Sequence, residues 1–198
     1  MCTRSFVVTS LLVLVPLSAT ARFHLWQITE VYSNADGSVQ FVELANNADL
    51  EDLTATHTVA SNSETYTIPS NLGTTSTANH HLLFATPAYA SAPGAVPPDF
   101  TFNPLAPPSA TFMSRSADTI NFGNGLNTFS YAAGELPTNG ELSLNEAYGS
   151  NVRTVASNSP TNFAGQIGHL PEPSGWLTQL AGAAAVFALA RTKRTHPA

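Results

Sequence analysis

The chain has 198 residues, seven basic and thirteen acidic side chains, a net charge of −6, and one cysteine, Cys2. Residues 22–170 carry three arginines, no lysine and twelve carboxylates, a net charge of −9. Such a body repels phosphate backbones and has no basic stripe, which argues against nucleic acid as a partner. It has no cysteine for a disulfide, so it must fold around an ordinary apolar core, for which its length suffices.

In chain order, Arg4 supplies a basic start, and Ser5–Leu17 an apolar stretch too short for a permanent span. Ala19-Thr20-Ala21 then places small residues where signal peptidase cuts. Residues 1–21 therefore read as a cleavable secretory leader, with Arg22 as the mature N-terminus. Cys2 would leave with it.

From residue 22 to 170 the pattern is short runs with two-residue alternation. Phe23–Ser33 and Ser38–Leu44 flank Asn34-Ala35-Asp36-Gly37, whose Asp-Gly pair signals a hairpin. Further strands are expected at 56–60, 64–68, 80–85, 118–122, 128–132, 141–144 and 153–156, with Gly, Pro or Asn clusters between them. No helix of ten or more residues is expected here. The fold class predicted is all-β, an antiparallel sandwich, with an N-terminal signal helix and a C-terminal hydrophobic helix outside the domain. Alternation in the second strand groups Val42 with Leu44, and Phe41 with Glu43. The Val42/Leu44 face is expected to be the buried one, with Phe41 partly covered near the sheet end. Segment 87–108 holds seven prolines and reads as an ordered inserted loop, packed back through Phe100, Phe102 and Leu105.

Catalytic signatures are missing: there is no Gly-x-Ser-x-Gly elbow, phosphate loop or His-Glu-x-x-His. His80 and His81 are adjacent strand residues that face opposite sides and cannot chelate one ion together. Asp49, Glu51 and Asp52 lack calcium-loop spacing and read as a solvated acidic turn. No catalytic residue, metal ligand or cofactor is indicated.

The last stretch has three parts: Pro171-Glu172-Pro173, an uncharged run over 176–190, and the basic cluster Arg191, Lys193 and Arg194. As a helix the run would cover roughly 22 Å of a hydrocarbon core about 30 Å thick, which makes it a marginal anchor. With a leader in front, the basic cluster would stay cytoplasmic. This tail resembles the PEP-CTERM sorting signal of Gram-negative bacteria. The resemblance implies an inner-membrane-anchored precursor, cleavage near 171–173 by an exosortase, and delivery to the cell surface or extracellular matrix. It also implies a setting of biofilm and exopolysaccharide.

The body carries a second resemblance. Ile28-Thr29-Glu30-Val31 followed by Gln40-Phe41-Val42-Glu43-Leu44-Ala45-Asn46 is similar to the opening of lamin-tail domains. Weaker echoes follow at Asp118-Thr119-Ile120, Tyr131 and Leu136–Gly140. Asn158-Ser159-Pro160-Thr161-Asn162-Phe163-Ala164-Gly165 is similar to the ending of bacterial exported relatives. The resemblance implies an immunoglobulin-like sandwich in which Glu30, Glu43 and Asn46 are structural, the glutamates accepting backbone or hydroxyl hydrogen bonds. Ligand or ion binding at the glutamates is the alternative reading.

The function expected is that of an exported surface or matrix-associated β-sandwich without enzymatic activity. Its rivals are a carbohydrate-binding module and, from another class, a matrix-polymer hydrolase. A groove with two or more exposed aromatics would mark the first. Carboxylates about 5–9.5 Å apart in a cleft would mark the second.

Overall fold

The computed structural model describes residues 22–102 and 111–171. Ala19 and Ala21, Glu172 and Pro173, the 176–190 run and the basic cluster Arg191, Lys193 and Arg194 lie outside the described residues. So do both terminal helices expected from the sequence.

Ten strands form: β1 (Gln27–Ser33), β2 (Gln40–Asn46), β3 (Thr58–Ala60), β4 (Thr65–Thr67), β5 (His80–Ala85), β6 (Phe100–Thr101), β7 (Asp118–Phe122), β8 (Asn127–Tyr131), β9 (Leu142–Glu146) and β10 (Arg153–Ser157). They make a six-stranded sheet, β10-β9-β1-β2-β5-β6, and a four-stranded sheet, β4-β3-β7-β8. All pairings are antiparallel except β5 with β6. The described residues thus form an all-β, two-sheet structure. Among the described residues the one helical element is a single 3-10 turn, Pro87–Ser91. None of the described helices is long and apolar enough to cross a membrane.

The main core lies between the sheets and includes Trp26, Ile28, Val31, Val42, Leu44 and Phe84. Its formation depends on one extra residue. Ile28 and Val31 differ in parity, so a regular strand would point them to opposite faces. The β1–β2 register slips between Ile28 and Glu30, leaving Thr29 as a bulge. Both apolar side chains then face inward, and Glu30 and Tyr32 face outward.

Phe41 departs from the expectation of partial cover: it has no exposed surface. It belongs to a second apolar cluster on the outer face of the larger sheet, with Tyr32, Leu83, Ala85, Tyr89 and Leu170. Tyr89 comes from the proline-rich excursion and Leu170 from the segment after β10, so β2 is buried on both faces. Val42 and Leu44 are fully buried as expected. The excursion, described as far as Phe102, is ordered through its 3-10 turn, β6 and the buried Phe102.

Strand β1 also starts later than the alternation suggests. Glu51 takes the Leu25 N–H on Oε2 (3.1 Å) and the Trp26 indole N–H on its backbone oxygen (2.7 Å). Residues 22–26 are thereby held by a loop rather than by a strand. The acidic stretch 49–52 is likewise no solvated turn, since Glu51 and Asp52 are buried. Asp49 accepts the N–H groups of Thr77 and Ala78, and Asp52 pairs with Arg22.

Candidate functional site

The bulge sets two carboxylates side by side. Glu30 and Glu43 are direct cross-strand partners on the outer face of the larger sheet, a placement that puts Cβ atoms about 4.5–5.5 Å apart. Both are buried, at 2% and 4% exposure. Like charges so close and so dry are costly unless donors surround them.

Donors do surround them. Ser143 Oγ (2.7 Å) and the Ser159 backbone N–H (2.9 Å) donate to Glu30 Oε1, and Ser159 Oγ (3.1 Å) to Oε2. The Thr161 N–H donates to Glu43 Oε2 at 2.6 Å, and His81 Nδ1 lies 2.7 Å from Glu43 Oε1. Burial, then the neighbouring Glu43 charge, push the Glu30 carboxyl up to about 7, against the pull of its serine donors. The Glu43 carboxylate raises His81 above its ordinary value, against desolvation.

These residues floor an open pocket of about 510 Å³. Asn46, Asn47, Asn79 and Asn145 wall it, with Glu146 and Tyr148. Tyr148 and His81 are its aromatic rings. Asn46 is committed to its own loop, with Nδ2 donating to Ala48 O (2.7 Å) and Thr77 O (3.2 Å). His80 takes no part: its ring stacks on Phe163 at 4.3 Å, with Nδ1 2.7 Å from the Phe163 carbonyl. Among the described residues no group of three or more His, Cys, Asp or Glu side chains is arranged to hold a metal ion.

Of the residues singled out by sequence, the fold brings Glu30, Glu43 and Asn46 to one pocket. Pro171 stands apart, half-buried beside Tyr32 and Val39 at a smaller cavity of about 270 Å³. Sequence reasoning missed His81, Ser143 and Asp99 as partners of the site. Asp99 accepts the Leu83 N–H (2.8 Å) and the Phe163 N–H (2.9 Å) on Oδ2. The one local signal was the Asn158–Gly165 motif, whose Ser159, Thr161 and Phe163 supply four of these donors.

The site can do two things chemically. It can fix the segment after β10 onto the sheet through buried acceptors, and it offers amide, carboxylate and phenol groups around an open concavity. No family model, curated protein or solved structure matches this chain.

Proposed function

We infer that this is an exported, non-catalytic β-sandwich of immunoglobulin-like, lamin-tail type. On this reading residues 1–21 export it, and the tail from Pro171 retains the precursor at the inner membrane. An exosortase then processes it near Pro171-Glu172-Pro173 for the cell surface or matrix. The observation that carries the reading is the use of Glu30 and Glu43. Their four oxygens accept bonds from Ser143, Ser159, Thr161 and His81, which ties the end of the body to its first two strands. Carboxylates so engaged support a scaffold role over general acid–base work, which needs a carboxyl within reach of substrate.

The test is processing in a native host. Pulse-labelled protein is expected to start at Arg22 and to lose its tail with time. Glu172→Ala is expected to accumulate as a membrane-bound precursor with unchanged thermal stability of the body. Processing of that variant at the wild-type rate would count against the sorting reading.

A second reading, binding of exopolysaccharide, draws support from the open pocket with its four asparagines and Tyr148. Saccharide hydroxyls pair with such amides, and sugar faces stack on aromatic rings. Retention of glycans by wild-type protein and loss with Tyr148→Ala would favour it.

A further inference from the structure

Between β10 and Pro171 the chain is mostly neither strand nor helix, yet it is gripped in a regular way. Ser159, Thr161 and Phe163 are alternate residues of this segment, the last at the start of a turn. Their backbone N–H groups go to Glu30 (2.9 Å), Glu43 (2.6 Å) and Asp99 (2.9 Å). Carboxylates from three places on the sheet thus do what the carbonyls of a neighbouring strand would do. Asn158 fixes both ends, donating to Glu141 O (2.6 Å) and Leu170 O (2.8 Å) and accepting the Leu170 N–H (2.6 Å). Apolar anchoring is thin: Leu170 is buried and Phe163 partly so, while Ile167 is 71% exposed. A segment held chiefly by polar contacts opens before the strands beneath it.

We propose that Asn158–Leu170 is a releasable strap, closed over the larger sheet while the carboxylates beneath it hold a proton and released when that proton is lost. Opening takes the Ser159 and Thr161 donors away from Glu30 and Glu43 and widens the pocket they line. It also frees thirteen residues that span at most about 45 Å when extended. The consequence for tether length rests on the reading that the tail from Pro171 attaches the protein; the opening itself does not.

The physical cause is the directly opposed pair. With the strap closed, water is excluded from Glu30 and Glu43, and two charges there repel at short range. A proton on the pair removes the repulsion. The other groups facing the strap are His80 and His81 from β5, Asp99 before β6, and Glu146 with its partner Arg153 at the pocket rim. His169 lies on the strap itself and Tyr32 and Tyr89 lie near Leu170; the described residues include no lysine. Burial raises Asp99 as it raises Glu30, and the Glu43 carboxylate raises His81. Opening returns these groups to water, so the closed state holds more protons than the open one. Acid therefore closes the strap and base opens it.

Hydrogen exchange of the full chain, read by mass spectrometry at pH 5.5 and 8.5 and corrected for intrinsic rates, tests this. Strap peptides are expected to lose about tenfold or more protection at the higher pH, with β2 and β5 changing less. Glu30→Gln, neutral at every pH, is expected to keep the strap protected at pH 8.5. Thr161→Pro, which deletes one donor, is expected to open it at both pH values. Equal strap protection in the wild type at the two pH values would overturn the proposal. So would an equal loss of protection in strap and strands, or wild-type pH dependence in Glu30→Gln. None of these outcomes depends on tail processing, so failure of the sorting reading would be seen separately.

Discussion

Gln40 illustrates how the loop-rich body, which has no cysteine between residues 22 and 170, fixes its connections. Fully buried, it takes the N–H groups of Phe112 (2.7 Å) and Met113 (3.0 Å) on Oε1 and donates through Nε2 to Met113 O (2.9 Å) and Ser33 Oγ (3.1 Å). Asp118 does the same for Asn62, Ser114 and Thr119. Each such side chain satisfies backbone donors that no strand partner reaches. Gln40→Leu would leave two buried N–H groups without an acceptor, and urea titration is expected to show a loss of about 2–4 kcal/mol. Phe41 offers a comparison on the same strand. Its ring stacks on Tyr32 at 5.0 Å and meets Tyr89 edge-on at 5.8 Å. Phe41→Ala is expected to cost about 3–5 kcal/mol, the range for a buried aromatic and far above that for a half-covered one.

Among the elements, the β1 bulge decides most. Thr29 is the residue that lets Ile28 and Val31 share the core while Glu30 meets Glu43. Deleting Thr29 restores regular alternation and must turn either Ile28 or the Val31 side of the strand outward. The deletion is expected to abolish cooperative unfolding and the near-ultraviolet circular dichroism of the packed aromatics. Deleting Gly73, where an added Cβ would meet nothing within 4 Å, is expected to leave both intact. The β1–β2 turn was legible in advance because its chemistry is local. Gly37 has φ of 81°, and Asp36 Oδ1 accepts the Ser38 N–H at 2.8 Å, as a short polar turn requires. The bulge was not legible, because Thr29 becomes an extra residue only when β2 lies beside it.

For the whole molecule, the buried ionisable groups give a signed dependence on pH. Glu30, Asp99 and His81 all sit above their ordinary values in the fold. The native state therefore binds more protons than the unfolded chain, and the associated stability is lost as pH rises. For Glu30 the window runs from its ordinary 4.5 to about 7, corresponding to about 3–4 kcal/mol. Asp36, lowered by its Ser38 hydrogen bonds, works the other way and costs stability only in stronger acid. Thermal unfolding is expected to give a higher Tm at pH 5.5 than at pH 8.5, and Glu30→Gln to flatten most of that difference. A Tm that rises between those pH values would contradict the assignment.

The all-β class and every strand but β6 were legible in the sequence, although β1 begins later than its alternation suggests and β6 lies in the excursion read as a loop. Period-two alternation and Gly, Pro and Asn punctuation are properties of neighbouring residues, so β5 and β7 match the runs expected at 80–85 and 118–122. Glu30, Glu43 and the Asn158–Gly165 motif were singled out in advance only through a resemblance to lamin-tail domains. Which carboxylate meets which amide was decided only by tertiary structure. Glu30 and Ser159 are 129 residues apart, and Glu43 and Thr161 are 118 apart. Contacts at that separation depend on sheet order and register, which a slip of one residue inverts. The second buried face of β2 has the same origin. Phe41 is covered by Tyr89, which follows β5, and by Leu170, which follows β10.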